Sequence, residues 1–348
     1  MNALTALPAL PSLAALSDRP VASAQVVQVQ APARLHLGFL DPGASLGRRF
    51  GSLGLTINGL ATVIEARHAD RDSVSLAPGV PEAEGARALS FLLRTRQALP
   101  DSRPVALRLQ HLLPEHQGFG SGTQMALAIA HAVASLEGHA RSAAELARAT
   151  GRGLRSGIGI ASFEQGGLLL DGGPGRHAAP LLCRLAFPED WPVLLIKEPA
   201  SRGLSGEAER QAIASLPPLP REHAAAICHR ALMQVLPAVS ESDFAAFAQG
   251  VGAIQRLLGG HFAPAQEGRV WASPHVAPLL DALERQHGAA IGQSSWGPTG
   301  FAIFPSLARG QEAVAWAAQQ GLISDAIALQ WVSARNRGAD VHWLPHSD

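Results

Sequence analysis

Pro114-Glu115-His116-Gln117-Gly118-Phe119-Gly120-Ser121-Gly122-Thr123 lies between an alternating stretch, Val105 to Gln110, and an apolar run that reaches Leu136. Val105, Leu107 and Leu109 alternate with Ala106, Arg108 and Gln110, the period of a half-buried strand. Beyond the loop, Met125, Leu127, Ile129, Val133 and Leu136 stand among alanines without a polar stripe. A helix predicted from about Gly122 to Leu136 therefore belongs in the core. Glycines at 118, 120 and 122 allow positive φ and a close ligand approach. The first helical amides have no intrahelical acceptor and lie at the positive end of the helix dipole, where an anion is favoured. Ser121 and Thr123 add hydroxyl donors. No Gly-Lys-Ser/Thr follows, so this is not a Walker loop, and the alternating glycines lack the βαβ setting of a dinucleotide fingerprint. Taken alone, the decapeptide is either a phosphate site or a flexible strand-to-helix turn.

Upstream, Val27 to Gln30 and Leu55 to Arg67 read as strands, and Ala86 to Ala98 as a helix with Leu89, Leu92 and Leu93 at helical spacing. Downstream, Ser142-Ala143-Ala144-Glu145 is a capping box for a short helix that Gly151 stops. Trp191 to Lys197 reads as a strand opening a second region. Helices are predicted near 206–215, 223–236, 243–258, 275–287 and 309–320, and strands at Ala289–Gln293, Phe301–Phe304 and Ala328–Ser333. Strands and helices mix without strict alternation, which points to α+β. The expected organisation is an extension over 1–24, one domain over 25–190 and another over 191–348.

The chain has 348 residues, 47% of them hydrophobic and 16% charged, enough to bury a large core. Its 28 basic and 28 acidic residues balance, so no broad field draws nucleic acid or an anionic membrane; an anion site must be built locally. The two cysteines, Cys183 and Cys228, form no disulfide framework, and a reducing cytoplasm is the expected compartment. Cys228-His229 reads as helix packing, not a metal site. Prolines 8 and 11 break the apolar N-terminal run, which has no basic start and does not read as a signal peptide.

Pro114, Gly118, Gly120 and Ser121 have the spacing of the phosphate loop in the superfamily of galactokinase, homoserine kinase and mevalonate kinase. Ala31-Pro32-Ala33-Arg34-Leu35-His36-Leu37-Gly38 resembles its N-terminal motif, and Gly292 to Gly300 falls where its C-terminal glycine motif should be. One branch is matched more closely. Arg34 to Phe39, Gly118 to Thr123, Arg155 to Gly159, Arg202 to Glu207 and Gln293 to Pro298 resemble the β-ribofuranosylaminobenzene 5′-phosphate synthase family. The resemblance implies a two-domain GHMP-kinase-like α+β fold, with a ribosomal-protein-like N-terminal domain and a ferredoxin-like C-terminal domain. Kinases of the superfamily carry a base aspartate where this chain is aligned to have Gly159, which has no side chain to accept a proton.

The resemblance further implies a pentosyltransferase. It would join 4-aminobenzoate, or 4-hydroxybenzoate, to phosphoribosyl pyrophosphate, with loss of carbon dioxide and pyrophosphate, on the route to tetrahydromethanopterin. It also implies magnesium and a homodimer. A ring-carbon nucleophile has no proton to surrender before it attacks, which suits the missing base. Arg34, His36, Arg155 and Ser295 are the candidate catalytic residues, Arg34 and Arg155 because guanidinium holds phosphate or carboxylate bidentately. The alternatives are surface ion pairs for the arginines and mere packing for His36. Gly118, Gly120, Ser121, Gly122, Thr123, Gln293, Ser294 and Arg202 are candidates for substrate and phosphate. Trp296 either stacks on the aromatic acid or is a structural indole. Glu115 and Glu207 are candidate magnesium ligands, or solvated carboxylates. Asp41 and Glu164 are outlying candidates. Two other readings stay open: a small-molecule kinase using ATP with Glu164 or Asp171 as base, and a silent ligand sensor.

Overall fold

The computed structural model describes residues 25–99, 101–175, 178–201, 203, 211–212 and 214–345. The strands in the first half are β1 (Gln25–Asp41), β2 (Phe50–His68), β3 (Ser73–Leu76), β4 (Val105–His111), β5 (Leu168–Asp171) and β6 (Leu181–Leu185). Those of the second half are β7 (Val193–Lys197), β8 (Ala290–Gln293), β9 (Gly300–Ile303), β10 (Ala328–Val332) and β11 (Asp340–Pro345). One sheet has the order β11-β1-β2-β4-β3, with β5 on the other half of β2 and β6 beyond it. The second has the order β10-β7-β9-β8. The strand at the end of the sequence thus returns to the first sheet, with Val341 opposite Val29 of β1.

Four described helices belong with the first sheet: α1 (Ala83–Ala98), α2 (Ser121–Leu136), α3 (Ala143–Ala149) and α4 (Ile158–Glu164). Next, α5 (Arg221–Arg230) passes through a π-helical turn (Ala231–Val235) into α6 (Leu236–Glu241). It is followed by α7 (Phe244–Phe262), α8 (Ala277–His287) and α9 (Leu307–Gln319). The mixed architecture is the α+β class expected. The elements that escape sequence reading, β3, β5, β6, β11 and α4, are four to seven residues long, too short to establish a period. The helix expected near 206–215 and the extension over 1–24 fall largely or wholly outside the described residues.

Helix α2 is buried from Gln124 to Ala130 without interruption, as a run with no polar stripe requires. It packs with Val27, Val29 and Ala31 of β1, whereas Ala33, Leu35, Leu37 and Phe39 of the same strand join a core with α5, α6 and α7. One strand therefore serves two cores, and the first of its two irregularities falls where it passes between them. Register shifts occur at Pro32/Ala33 and His36/Gly38. Proline lacks the N–H of a regular ladder and is tolerated at such a bulge.

One helix face differs from expectation. Leu92 of α1 is fully buried, but Leu89 and Leu93 are 36% and 50% exposed; Ala88, Phe91 and Thr95 complete the inner face. Leu92 and Leu93 each stand at helical spacing from Leu89, and only packing selects among the three. Leu92→Ala is expected to cost about 2–5 kcal/mol, and Leu93→Ala less than about 1 kcal/mol, in denaturant unfolding.

Candidate active site

The loop enters α2 through Gly120, a left-handed N-cap with φ 82° and no side-chain cap. The N–H groups of Thr123 and Gln124 both donate to the Gly120 carbonyl, at 3.0 and 3.1 Å. The amides of Ser121 and Gly122, in the helix's first turn, have no acceptor within the helix. Arg34 secures the loop from β1. Its backbone N–H donates to Phe119 O at 3.2 Å, and its guanidinium donates to Gly118 O. A Cβ on Gly120 would lie 3.3 Å from the Arg34 guanidinium carbon, so the arginine lies directly against the helix mouth.

The C-terminal glycine motif closes on the same loop. His36 N–H donates to Ser294 Oγ at 3.0 Å, and that hydroxyl donates to Gly118 O at 2.7 Å. The Thr299 hydroxyl donates to Gln117 Oε1 at 3.1 Å, and Gln117 Nε2 to Ser201 O at 2.7 Å. Gly203 N–H reaches His116 O at 2.9 Å. Four segments distant in sequence are thereby gathered around one helix end.

Three of the residues expected to meet substrate make defined contacts within the protein. Gly118 has φ +84°, and a Cβ there would meet the Ser294 carbonyl; the missing side chain is needed for packing against the protein. Ser294 is fully buried and its hydroxyl is the bridge itself. The Gln293 amide is likewise engaged within the protein: its Oε1 accepts from Ala272 N at 2.6 Å, and its Nε2 donates to Gln266 Oε1 and Ser295 O, each at 2.9 Å.

Beside the loop is a narrow pocket lined by His36, Phe39, Phe262, Ser295 and Trp296. The register shift at His36/Gly38 brings the Phe39 ring within 4.5 Å of the His36 ring, edge to face. Trp296 is 4% exposed and tilted against Phe262 at 4.5 Å. The indole Nε1 and the His36 Nε2 are buried without an acceptor among the described residues. Burial, reinforced by Arg34 and Arg155, pushes the His36 pKa down to about 3. The imidazole is therefore neutral at ordinary pH and keeps one N–H to donate.

The carboxylates are placed elsewhere. Gly159 lies against Thr123, whose Cγ2 would be 3.0 Å from an added Cβ; the position aligned with the kinase base adjoins the loop but has no acid. Asp171 is buried and accepts from Gly157 N at 2.9 Å, Gly173 N at 2.7 Å and Ser156 Oγ at 3.2 Å. That leaves it bracing the start of α4. Glu164 lines a separate recess with Asp171 and Arg148. Asp41 accepts from Gly43 N, Ser45 N and Ser45 Oγ in a local turn. Glu115 is ion-paired with Arg87. Among the described residues no three His, Cys, Asp or Glu gather for a metal, so the protein supplies no metal cage there. Arg202 and Glu207 lie outside the described residues.

Sequence reading overlooked Arg87, Arg94 and Arg152. Arg87 and Arg152 reach over Gly122, and Arg152 is surrounded by Arg87, Arg94 and Arg155 closely enough to lower its pKa to about 10, burial being the larger cause. The available signal was the spacing: Arg87 and Arg94 are seven residues apart on one face of α1.

Family models for the GHMP kinases N-terminal domain and the GHMP kinases C-terminal region match residues 86–167 and 235–320. The chain is 31% identical to the β-ribofuranosylphenol 5′-phosphate synthase of Methanothermobacter thermautotrophicus, over 79% of this chain and 88% of that protein. It is 31% identical to the protein of the same name from Archaeoglobus fulgidus, over 91% and 99%. Among solved structures, homoserine kinase from Cytophaga hutchinsonii superposes with a TM-score of 0.67 at 17% identity, over 94% of this chain and all of that one. Streptococcus pneumoniae phosphomevalonate kinase gives 0.66 at 13%, over 90% and 100%. These kinase likenesses show the two-domain GHMP-kinase-like fold.

Removing the bridging hydroxyl in Ser294→Ala is expected to cost about 1–3 kcal/mol, because Gly118 O and His36 N–H each lose a buried partner. Gly118→Val is expected to destabilise more, through its collision with the Ser294 backbone. His36 also sets a pH dependence. Its folded pKa of about 3 lies below its ordinary 6.5, so the unfolded chain binds more protons between those values. The contribution to stability is complete above 6.5 and declines as pH falls toward 3, by at most about 1.4 kcal/mol per pH unit. Unfolding free energies of His36→Gln should show a shallower decline over that interval.

Proposed function

The chain belongs to the β-ribofuranosylphenol 5′-phosphate synthase family, and from that premise we propose that it transfers a phosphoribosyl group from phosphoribosyl pyrophosphate to the ring carbon of a 4-substituted benzoate. The relatives are named for the phenol, which makes 4-hydroxybenzoate the first acceptor to try, with 4-aminobenzoate beside it. The bond from ribose C1 to the pyrophosphate oxygen breaks, and its electron pair leaves with pyrophosphate. The ring carbon bearing the carboxylate, enriched by the para hydroxyl or amine, forms the new carbon–carbon bond. The bond to the carboxylate then breaks, its pair restores the aromatic sextet, and carbon dioxide departs. No proton acceptor for an alcohol is required.

The observation that carries this reading is the adjacency along β1 of an uncapped helix mouth at Arg34 and an aromatic pocket at His36, with glycine at 159. Residues 34 and 36 are about 6–7 Å apart along an extended strand, which suits a donor phosphate and an acceptor ring on either side of one ribose. The amides of Ser121 and Gly122 and the Arg34 and Arg155 guanidiniums stabilise the departing pyrophosphate, a preorganised electrostatic role. His36 and Ser295 donate toward the sugar or the acceptor, and Trp296 offers its face to the ring. Magnesium takes phosphate oxygens and water with one or two carboxylates. The donor itself would therefore bring most of its ligands, with Glu115 the carboxylate at the loop, and its charge would ease departure of the pyrophosphate.

Purified protein is expected to release labelled carbon dioxide from carboxyl-labelled 4-hydroxybenzoate or 4-aminobenzoate when phosphoribosyl pyrophosphate and magnesium are present. Absence of release with both acids under reducing conditions overturns the assignment. Arg34→Met is expected to lower the rate by about 10²–10³, as loss of one such donor typically does.

A further inference from the structure

None of the arginines around Gly122 lies on a strand of either sheet, yet they crowd one point. Arg87 and Arg94 project from one face of α1, and Arg152 and Arg155 come from the turn between α3 and α4. A Cβ on Gly122 would meet Arg87 and lie 3.1 Å from Arg152 Nη2, so the absence of a side chain there is what lets both guanidiniums reach the helix mouth. Arg87 has two carboxylate partners, Glu84 and Glu115. Arg94 and Arg152 have none among the described residues. Arg152 rests on the Phe91 ring, 4.9 Å from its centroid, and its Nε is buried without an acceptor. Like charges gathered in a half-buried site repel at a cost that an anion placed among them removes.

We propose that Arg87 and Arg152 form a second phosphate subsite next to the loop, so that a pyrophosphate group lies with one phosphorus at the Ser121 and Gly122 amides and the other between these two guanidiniums. This deepens the phosphoribosyl-transfer reading, on which it rests, by assigning the residues that recognise the leaving group. Arg34 and the loop hold the phosphate nearest the sugar, and Arg87 and Arg152 hold the distal one. Two tetrahedral phosphorus centres share one bridging oxygen, a span that matches neighbouring positions on a single helix turn. Guanidinium forks are well suited to the terminal phosphate, which presents three oxygens. Arg94, exposed at the rim, would draw the anion in without a fixed contact.

The test is calorimetric titration of the whole protein with pyrophosphate, inorganic phosphate and ribose 5-phosphate, without acceptor, so that no turnover is involved. Pyrophosphate should bind the wild type at least about tenfold more tightly than inorganic phosphate, tenfold being the gain from one added contact of about 1.4 kcal/mol. Arg152→Met keeps the apolar stem over Phe91 and removes the charge. It should lose about tenfold or more in pyrophosphate affinity while phosphate affinity changes less than about threefold. Arg87→Gln should behave likewise, which guards against a folding defect in the other variant; thermal melts report that defect directly. Unchanged pyrophosphate affinity in both folded variants overturns the subsite. So does a loss confined to ribose 5-phosphate, which would place the sugar's own phosphate there instead. Carbon dioxide release by the wild type is scored separately. Failure of that assay removes the transferase reading and leaves the binding result standing, and the converse holds.

Discussion

A buried helix that begins with no side-chain cap leaves amide donors facing outward, and the rest of this molecule is arranged around that end. Because α2 is apolar nearly throughout, it must lie in the core. Its first turn, however, must reach a surface where something polar can accept from it. The Ser294 hydroxyl resolves the conflict on the protein's side. By accepting from His36 and donating to Gly118, it fixes the loop's carbonyls against β1 and the C-terminal motif. The amides of Ser121 and Gly122, at the start of the helix, have no acceptor within it.

From that arrangement the division of chemistry follows. On one side of Arg34, guanidinium groups accumulate around Gly122, and among the described residues Glu84 and Glu115 offset Arg87. On the other, a neutral histidine and four aromatic side chains shape a pocket with little charge. Under the proposed reaction, an anionic leaving group and a flat acceptor would meet environments of opposite character within two residues of one strand. The superfamily's fold is retained, but the position that would carry a base for an alcohol is filled by Gly159 against Thr123. The proposed carbon nucleophile, which would later shed carbon dioxide, would have no use for that base.

The sequence by itself determined the buried helix, the glycine loop at its mouth and the α+β mixture. Each of these is written in local period or residue type. Motif resemblance nominated Arg34, His36 and Trp296 as site residues; in the folded chain Arg34 bonds the loop, and His36 and Trp296 line the neighbouring pocket. The sequence could not determine that Gly118 faces a carbonyl, or that Ser294 and Gln293 turn their polar atoms inward. Nor could it choose Leu92 over Leu93 as a core residue. The partners that decide these points come from far along the chain: His36 and Ser294 are 258 residues apart. The arginines over Gly122 were hidden for the same reason. An arginine on a helix looks like any solvated charge until a second element brings another guanidinium against it, and only tertiary packing supplies that neighbour.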